Sequence, residues 1–125
     1  MRNPVGWFEI YVQDMPRAKA FYEAVLAVKL EKLEAPGSSP VEMWAFPMQQ
    51  GGTGAAGALA KMEGMPSGGN GTLVYFSCQD CAVEAGRVAA QGGKVEKDKF
   101  PIGPYGFIAL AVDTEGNMIG LHSTR

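Results

Sequence analysis

Few side chains in this 125-residue chain could do chemistry, and they fall into three groups. Glu9 and the single histidine, His122, could act as general base and partner, or hold a weakly bound ion. The plainer role is structural, with Glu9 on a backbone group or an arginine and His122 at a strand end. One histidine is few for zinc or iron, whose sites draw on several nitrogen or sulfur ligands. Cys78-Gln79-Asp80-Cys81 has a spacing that, at a helix start, can depress a thiol pKa and support a catalytic disulfide. No second pair completes a four-sulfur zinc site, so two partly buried free thiols in a reducing compartment are expected. Gly52-Thr53-Gly54-Ala55-Ala56-Gly57 spells a dinucleotide fingerprint. That fingerprint needs a following helix to receive the pyrophosphate, and Ala58 to Met62 is too short before Gly64 and Pro66. A loop at the edge of a ligand cleft is expected there instead.

The elements that must position these groups are announced by a repeat. Phe8-Glu9-Ile10-Tyr11-Val12-Gln13-Asp14 returns as Val74-Tyr75-Phe76-Ser77-Cys78-Gln79-Asp80, and each copy leads into an alanine-rich segment. Two copies of one supersecondary unit, with a cleft between them, are the natural reading. In the matching places the first copy has Val12 and Met15 where the second has Cys78 and Cys81, which treats both cysteines as apolar slots.

In the first copy the pattern predicts a strand over Gly6–Val12, Asp14 as N-cap, and a helix from Pro16 to about Val28. Ala20, Phe21, Ala24, Val25 and Val28 recur at three- and four-residue spacing and form its apolar stripe. Strands follow at Lys29–Glu34, Val41–Gln49 and Ala56–Met62, with the breaker cluster Ala35-Pro36-Gly37-Ser38-Ser39-Pro40 between the first two. In the second copy a strand over Thr72–Cys78 leads to Asp80 and a helix over Cys81–Gln91, stopped by Gly92-Gly93. Strands near Lys94–Lys99, Tyr105–Val112 and Asn117–Ser123 complete it, the last two joined at Asp113–Asn117 as a hairpin. The expected organisation is one domain over 1–125, with repeats 1–64 and 71–125 joined by a linker over 65–70.

Composition narrows the partners. Eleven Lys and Arg against 13 Asp and Glu give a net charge of −2, without a basic footprint for nucleic acid or anionic membrane. No apolar run approaches the roughly 20 residues of a membrane span. Met1-Arg2-Asn3-Pro4 lacks the apolar stretch of a secretion signal, which points to the cytoplasm. Parity puts Trp7, Glu9 and Tyr11 on one face of the first strand, and Tyr75 with Ser77 on one face of its repeat. With Trp44 from another strand, and with His122, these residues are expected to line an aromatic cleft suited to a small molecule.

Ile10-Tyr11-Val12-Gln13-Asp14 followed by Ala20-Phe21-Tyr22, the double βαβββ order, and the ending Asp113-Thr114-Glu115-Gly116-Asn117-Met118-Ile119-Gly120-Leu121 resemble the vicinal oxygen chelate superfamily. That group holds glyoxalase I, bleomycin-resistance proteins, fosfomycin-resistance enzymes and extradiol dioxygenases; the small glyoxalase-like proteins are the most similar subgroup. The resemblance implies an α+β fold in which two βαβββ modules form a cupped, open-barrel-like mixed sheet. It also implies a divalent metal held by a His and a Glu from each half, acting as a Lewis acid. The matching positions here are Trp7, about Leu73, Gly120 and the Gly57-Ala58-Leu59-Ala60 stretch, none of which supplies a metal-binding side chain.

The expected function is therefore binding of a small, partly aromatic molecule in the cleft, with no metal or other cofactor. The alternative is a lyase or isomerase related to lactoylglutathione lyase, using Glu9 and His122 or a divalent metal at an atypical site. A regulatory module for a protein partner has no positive support in the sequence. Relatives of this length commonly dimerise, so the resemblance implies a homodimer, with the strand near Val41–Gln49 as the expected edge.

Overall fold

The computed structural model describes residues 2–34 and 40–125, so the breaker cluster, apart from Pro40, lies outside the described residues. The chain divides into two units. One is Trp7–Thr72; the other joins Met1–Gly6 to Leu73–Arg125. Eight strands and two α-helices occur among the described residues, a mixed α+β architecture in the βαβββ order twice over.

In the Trp7–Thr72 unit, β1 (Val5–Tyr11) leads to helix α1 (Met15–Leu26), then β2 (Glu31–Leu33), β3 (Glu42–Ala45) and β4 (Ala56–Lys61). The helix starts where Asp14 leaves helical geometry and accepts a hydrogen bond from the Arg17 N–H at 3.0 Å, with Pro16 in the first turn. It ends at Ala27, which adopts the left-handed conformation (φ 54°) and donates its N–H to the Glu23 carbonyl. Strands run in the order β2-β3-β4-β1, with β1 parallel to β4 and the other pairs antiparallel. The parallel pair requires the chain to cross over through α1 before it returns to the sheet.

Register fixes two faces. Glu9 sits beside Ala58 and Ala45, and Tyr11 beside Ala60 and Met43. On the other face Ile10, Leu59 and Trp44 are neighbours, and there Met15, Ala18 and Tyr22 of α1 pack with Val12, Leu30 and Phe46. Tyr22 meets Phe46 edge-on at 5.7 Å. Each large apolar side chain buried this way contributes on the order of 1.5–3 kcal/mol.

Two expectations change here. Ala20, Phe21, Ala24 and Val25 face solvent, and Val28 lies beyond the end of the helix. Periodicity finds an apolar stripe but not its phase, and Met15 and Tyr22 offer the sheet more area and a ring–ring contact than the alanine-rich side. The strand expected over Val41–Gln49 is only Glu42–Ala45, and Pro47, which has no N–H to give, follows closely. It is internal, between β2 and β4, so it offers no free edge; β2 is the outer strand.

The second unit repeats the plan with β5 (Thr72–Ser77), helix α2 (Cys81–Val88), β6 (Lys94–Pro101), β7 (Phe107–Val112) and β8 (Met118–Ser123). Its order is β5-β8-β7-β6, and β5 with β8 is the parallel pair, matching β1 with β4. Asp80 caps α2 through the Ala82 N–H and also pairs with Lys99 at 2.8 Å, which holds its carboxyl below the usual range. Beyond α2 a single 3-10 turn (Ala89–Gln91) reaches Gly92, which takes φ 96°. Asp113 closes the β7–β8 hairpin by accepting from the backbone N–H groups of Glu115 and Asn117. Ser123 is the buried polar residue among the described residues: its Oγ accepts from the Cys81 N–H and donates to the Arg125 carbonyl, tying the start of α2 to the end of β8. No helix among the described residues is long and apolar enough to cross a membrane.

Candidate functional site

Alternation along β1 sends Trp7, Glu9 and Tyr11 to one face, and there they are joined. The Glu9 carboxylate accepts from the Trp7 indole N–H at 3.1 Å and from the Tyr11 hydroxyl at 2.8 Å, one on each oxygen. Hydrogen bonds to a charged acceptor are the stronger kind. Burial, followed by the Glu9 charge and the hydrogen bond to it, pushes the Tyr11 hydroxyl far above its ordinary pKa, so it keeps its proton and remains a donor. The surroundings are apolar: Tyr11 packs with Met43, Ala45, Ala58 and Ala60, and Trp7, Leu33, Val41 and Met65 pack against that cluster. The Gln13 side-chain amide donates to the Met65 carbonyl at 3.0 Å and holds that loop against the strand.

The sequence gives no sign of the Gln13 tie, and Ala58 and Ala60 stand out in it only as part of the Gly57-Ala58-Leu59-Ala60 stretch. The alternation of alanines along β4 was the available signal, and it has meaning only once β4 is known to lie beside β1.

Trp44 does not join this group. Its partner in the register is Leu59, not Ala58 or Ala60, so it takes the α1 face of the sheet. Its indole N–H goes to Glu42 at 3.1 Å and the Lys19 ammonium stands 4.9 Å from its ring centre. It lines a recess of about 310 Å³ with Lys19, Glu23 and Glu42, and a second recess of about 390 Å³ runs along β2 and β3 beside Phe46 and Met48. Neither recess contains Trp7, Glu9 or Tyr11. The Trp44 recess is already furnished by Lys19, which pairs with Glu23 at 3.0 Å. The chemistry therefore points to the carboxylate between two aromatics rather than to either recess.

Tyr75, Ser77 and His122 belong to the other unit. Ser77 and His122 are register partners across β5 and β8. His122 Nε2 lies 2.6 Å from the Tyr105 carbonyl oxygen, which can only accept, so that nitrogen carries a proton. Tyr75 is buried, with its ring laid over Gly120. Phe46 and Phe76 pack into the cores of their own units.

Both cysteines are free, Cys81 fully buried and Cys78 partly so. Burial, with the Glu84 carboxylate as the next cause, pushes the Cys78 thiol up to about 11, the opposite of an activated redox thiol. At neutral pH its reaction with a disulfide reagent is expected to run about 100-fold slower than that of an ordinary exposed thiol, following its thiolate fraction. A rate equal to that of a free peptide thiol would contradict this account.

The double βαβββ plan and its paired registers agree with a family match over residues 5–121 to the Glyoxalase/Bleomycin resistance protein/Dioxygenase superfamily. The chain belongs to this superfamily. Similar solved structures include a hypothetical protein from Bacillus halodurans, 13% identical with a TM-score of 0.70, covering 97% of this chain and 94% of that one. Methylmalonyl-CoA epimerase from Mycobacterium tuberculosis is 17% identical with a TM-score of 0.68, covering 98% of this chain and 88% of that one. A Streptomyces coelicolor methylmalonyl-CoA epimerase in complex with 2-nitronate-propionyl-CoA is 18% identical with a TM-score of 0.66, covering 97% and 94%. At these identities the likeness is one of fold. No curated protein matches the chain.

The metal arrangement that the superfamily resemblance implies does not fit the residues at its positions. A Cβ at Gly120 would overlap the Tyr75 ring, so that position has no room for a ligating side chain. Trp7 offers only an N–H, already given to Glu9, while Leu73 is a buried hydrocarbon and Ala58 and Ala60 carry only methyls. Among the described residues, no three His, Cys, Asp or Glu side chains gather into a set that could hold a metal ion.

Proposed function

We propose that this superfamily member binds a small, partly aromatic molecule on the Trp7–Glu9–Tyr11 face and does so without a metal. The observation that carries the reading is the Glu9 carboxylate held between two aromatic donors beside an apolar cluster. Such a carboxylate orients a donor-bearing ligand, and the Trp7 ring offers it a flat apolar surface. Tyr11 acts as a fixed donor rather than a proton shuttle, because its hydroxyl does not titrate near neutrality. Catalysis by Glu9 as a general base is the second reading, favoured by the fixed orientation of its carboxylate. Both readings place the protein in the cytoplasm and take it to be a homodimer.

The test is a thermal-shift screen of planar N–H-bearing compounds, paired with elemental analysis after incubation with Ni, Co, Zn, Mn or Fe. A ligand should raise the melting temperature of the wild type by mass action. The rise should vanish in Glu9→Gln, whose own melting remains cooperative, and no stoichiometric metal should survive dialysis. A ligand shift that is unchanged in Glu9→Gln, or a retained metal, would overturn the proposal. Turnover of the bound compound, lost in Glu9→Gln, would move the second reading to first place.

A further inference from the structure

A glycine inside a strand can mark a place where another group must come close, and Gly6 in β1 is such a place. A Cβ on Gly6 would overlap the Ser77 hydroxyl and stand 2.8 Å from a terminal nitrogen of Arg2. Hydroxyl and guanidinium therefore share the space over this glycine. All three residues belong to the unit that joins Met1–Gly6 to Leu73–Arg125. The Ser77 N–H donates to the Pro4 carbonyl at 2.9 Å, which holds the segment carrying Arg2 against β5.

These donors are not used up within the protein. Among the described residues, the Arg2 side chain makes one hydrogen bond, from Nε to the Asn3 carbonyl, and pairs with no carboxylate. Among the same residues the Ser77 hydroxyl has no acceptor. Beside Ser77 the face becomes partly apolar. His122 is its register partner on β8, Ile108 stands next to His122 on β7, and Tyr75 lies two residues back along β5. The contact of His122 Nε2 with the Tyr105 carbonyl holds the imidazole ring in place.

We propose that Arg2 and Ser77 form a subsite for the carboxylate of a small apolar acid. A guanidinium presents parallel N–H donors that match the two oxygens of a carboxylate, and the Ser77 hydroxyl adds one more. Ile108 and the His122 ring give the body of the acid a surface to rest on. The subsite does not rest on the Glu9 reading. There the protein supplies an acceptor for a ligand's N–H; here it supplies donors for a ligand's oxygens.

The chain has one histidine, so its ring signals report on this face without ambiguity. The test is a titration of benzoate into the full chain at fixed pH and ionic strength, followed through those signals by NMR. They should shift saturably, with a Kd of about 1 mM for a probe of this size. Inorganic phosphate, which lacks the apolar body, should bind more weakly. Arg2→Gln should weaken benzoate by about 10-fold or more and Ser77→Ala by about 3-fold, as for loss of a charged and a neutral hydrogen bond. Arg2→Lys keeps the charge without the fork and should restore only part of the affinity. Arg87→Gln, which removes an exposed charge from α2, should leave binding unaltered. Arg2 is itself exposed, so its variants should melt as the wild type does. A wild type without a saturable shift, phosphate bound as tightly as benzoate, or benzoate binding unchanged in Arg2→Gln overturns the proposal.

Discussion

Gly120→Glu, which returns a carboxylate to the position where the superfamily resemblance implies a metal ligand, is expected to cost stability rather than restore a metal site. Gly120 is buried in β8, and the Tyr75 ring covers the direction in which a Cβ would project. Overpacking alone costs about 1–3 kcal/mol, and a buried carboxylate without a partner adds to it. The expected loss is about 3–5 kcal/mol, a large share of the roughly 5–15 kcal/mol that holds a domain folded. Urea denaturation of wild type and variant measures it. In a Tyr75→Ala background the same substitution should cost less, because the two residues compete for one space, and a double-mutant cycle reads the coupling. If Gly120→Glu unfolds at the wild-type midpoint, Tyr75 does not constrain this position.

Tyr11→Ala is expected to cost about 3–5 kcal/mol, the range for truncating a buried aromatic. Its ring packs with Met43, Ala45, Ala58 and Ala60, small neighbours that cannot close the gap. Tyr11→Phe separates ring from hydroxyl: it keeps the packing, removes one donor to Glu9 and should cost about 1–2 kcal/mol. The two variants also differ from the wild type in their response to alkali. The folded Tyr11 hydroxyl titrates above its unfolded value, so its contribution is complete below pH 10 and is lost as the pH rises beyond that value. Stability measured against pH should therefore fall more steeply above about pH 10 in the wild type than in Tyr11→Phe. Parallel curves would mean that the hydroxyl is not held as described.

The same two residues show what can be read from letters. Tyr11 shares a strand face with Trp7 and Glu9 by alternation alone, and the hydrogen bonds among the three follow that parity. Gly120 is visible in the sequence as a missing ligand, but the ring that needs the space comes from Tyr75, 45 positions earlier, and no local pattern links them. Trp44 was misplaced for a related reason. Alternation says which residues share a face of one strand, whereas only the pairing with Leu59 says which face of the sheet that is. Helix α1 was legible in extent and cap but not in phase, since both of its sides carry apolar residues.

Sequence by itself determined the repeat, the order of elements, the Asp14 cap, the Asp113 turn and the superfamily. These depend on hydrogen bonds and periodicities that close within a few residues, so the local letters suffice. Tertiary structure alone decided strand register, the side of α1 turned outward and the loss of space at Gly120. Each of those depends on which of two possible faces buries more surface against partners far along the chain, a competition that no short stretch of residues contains.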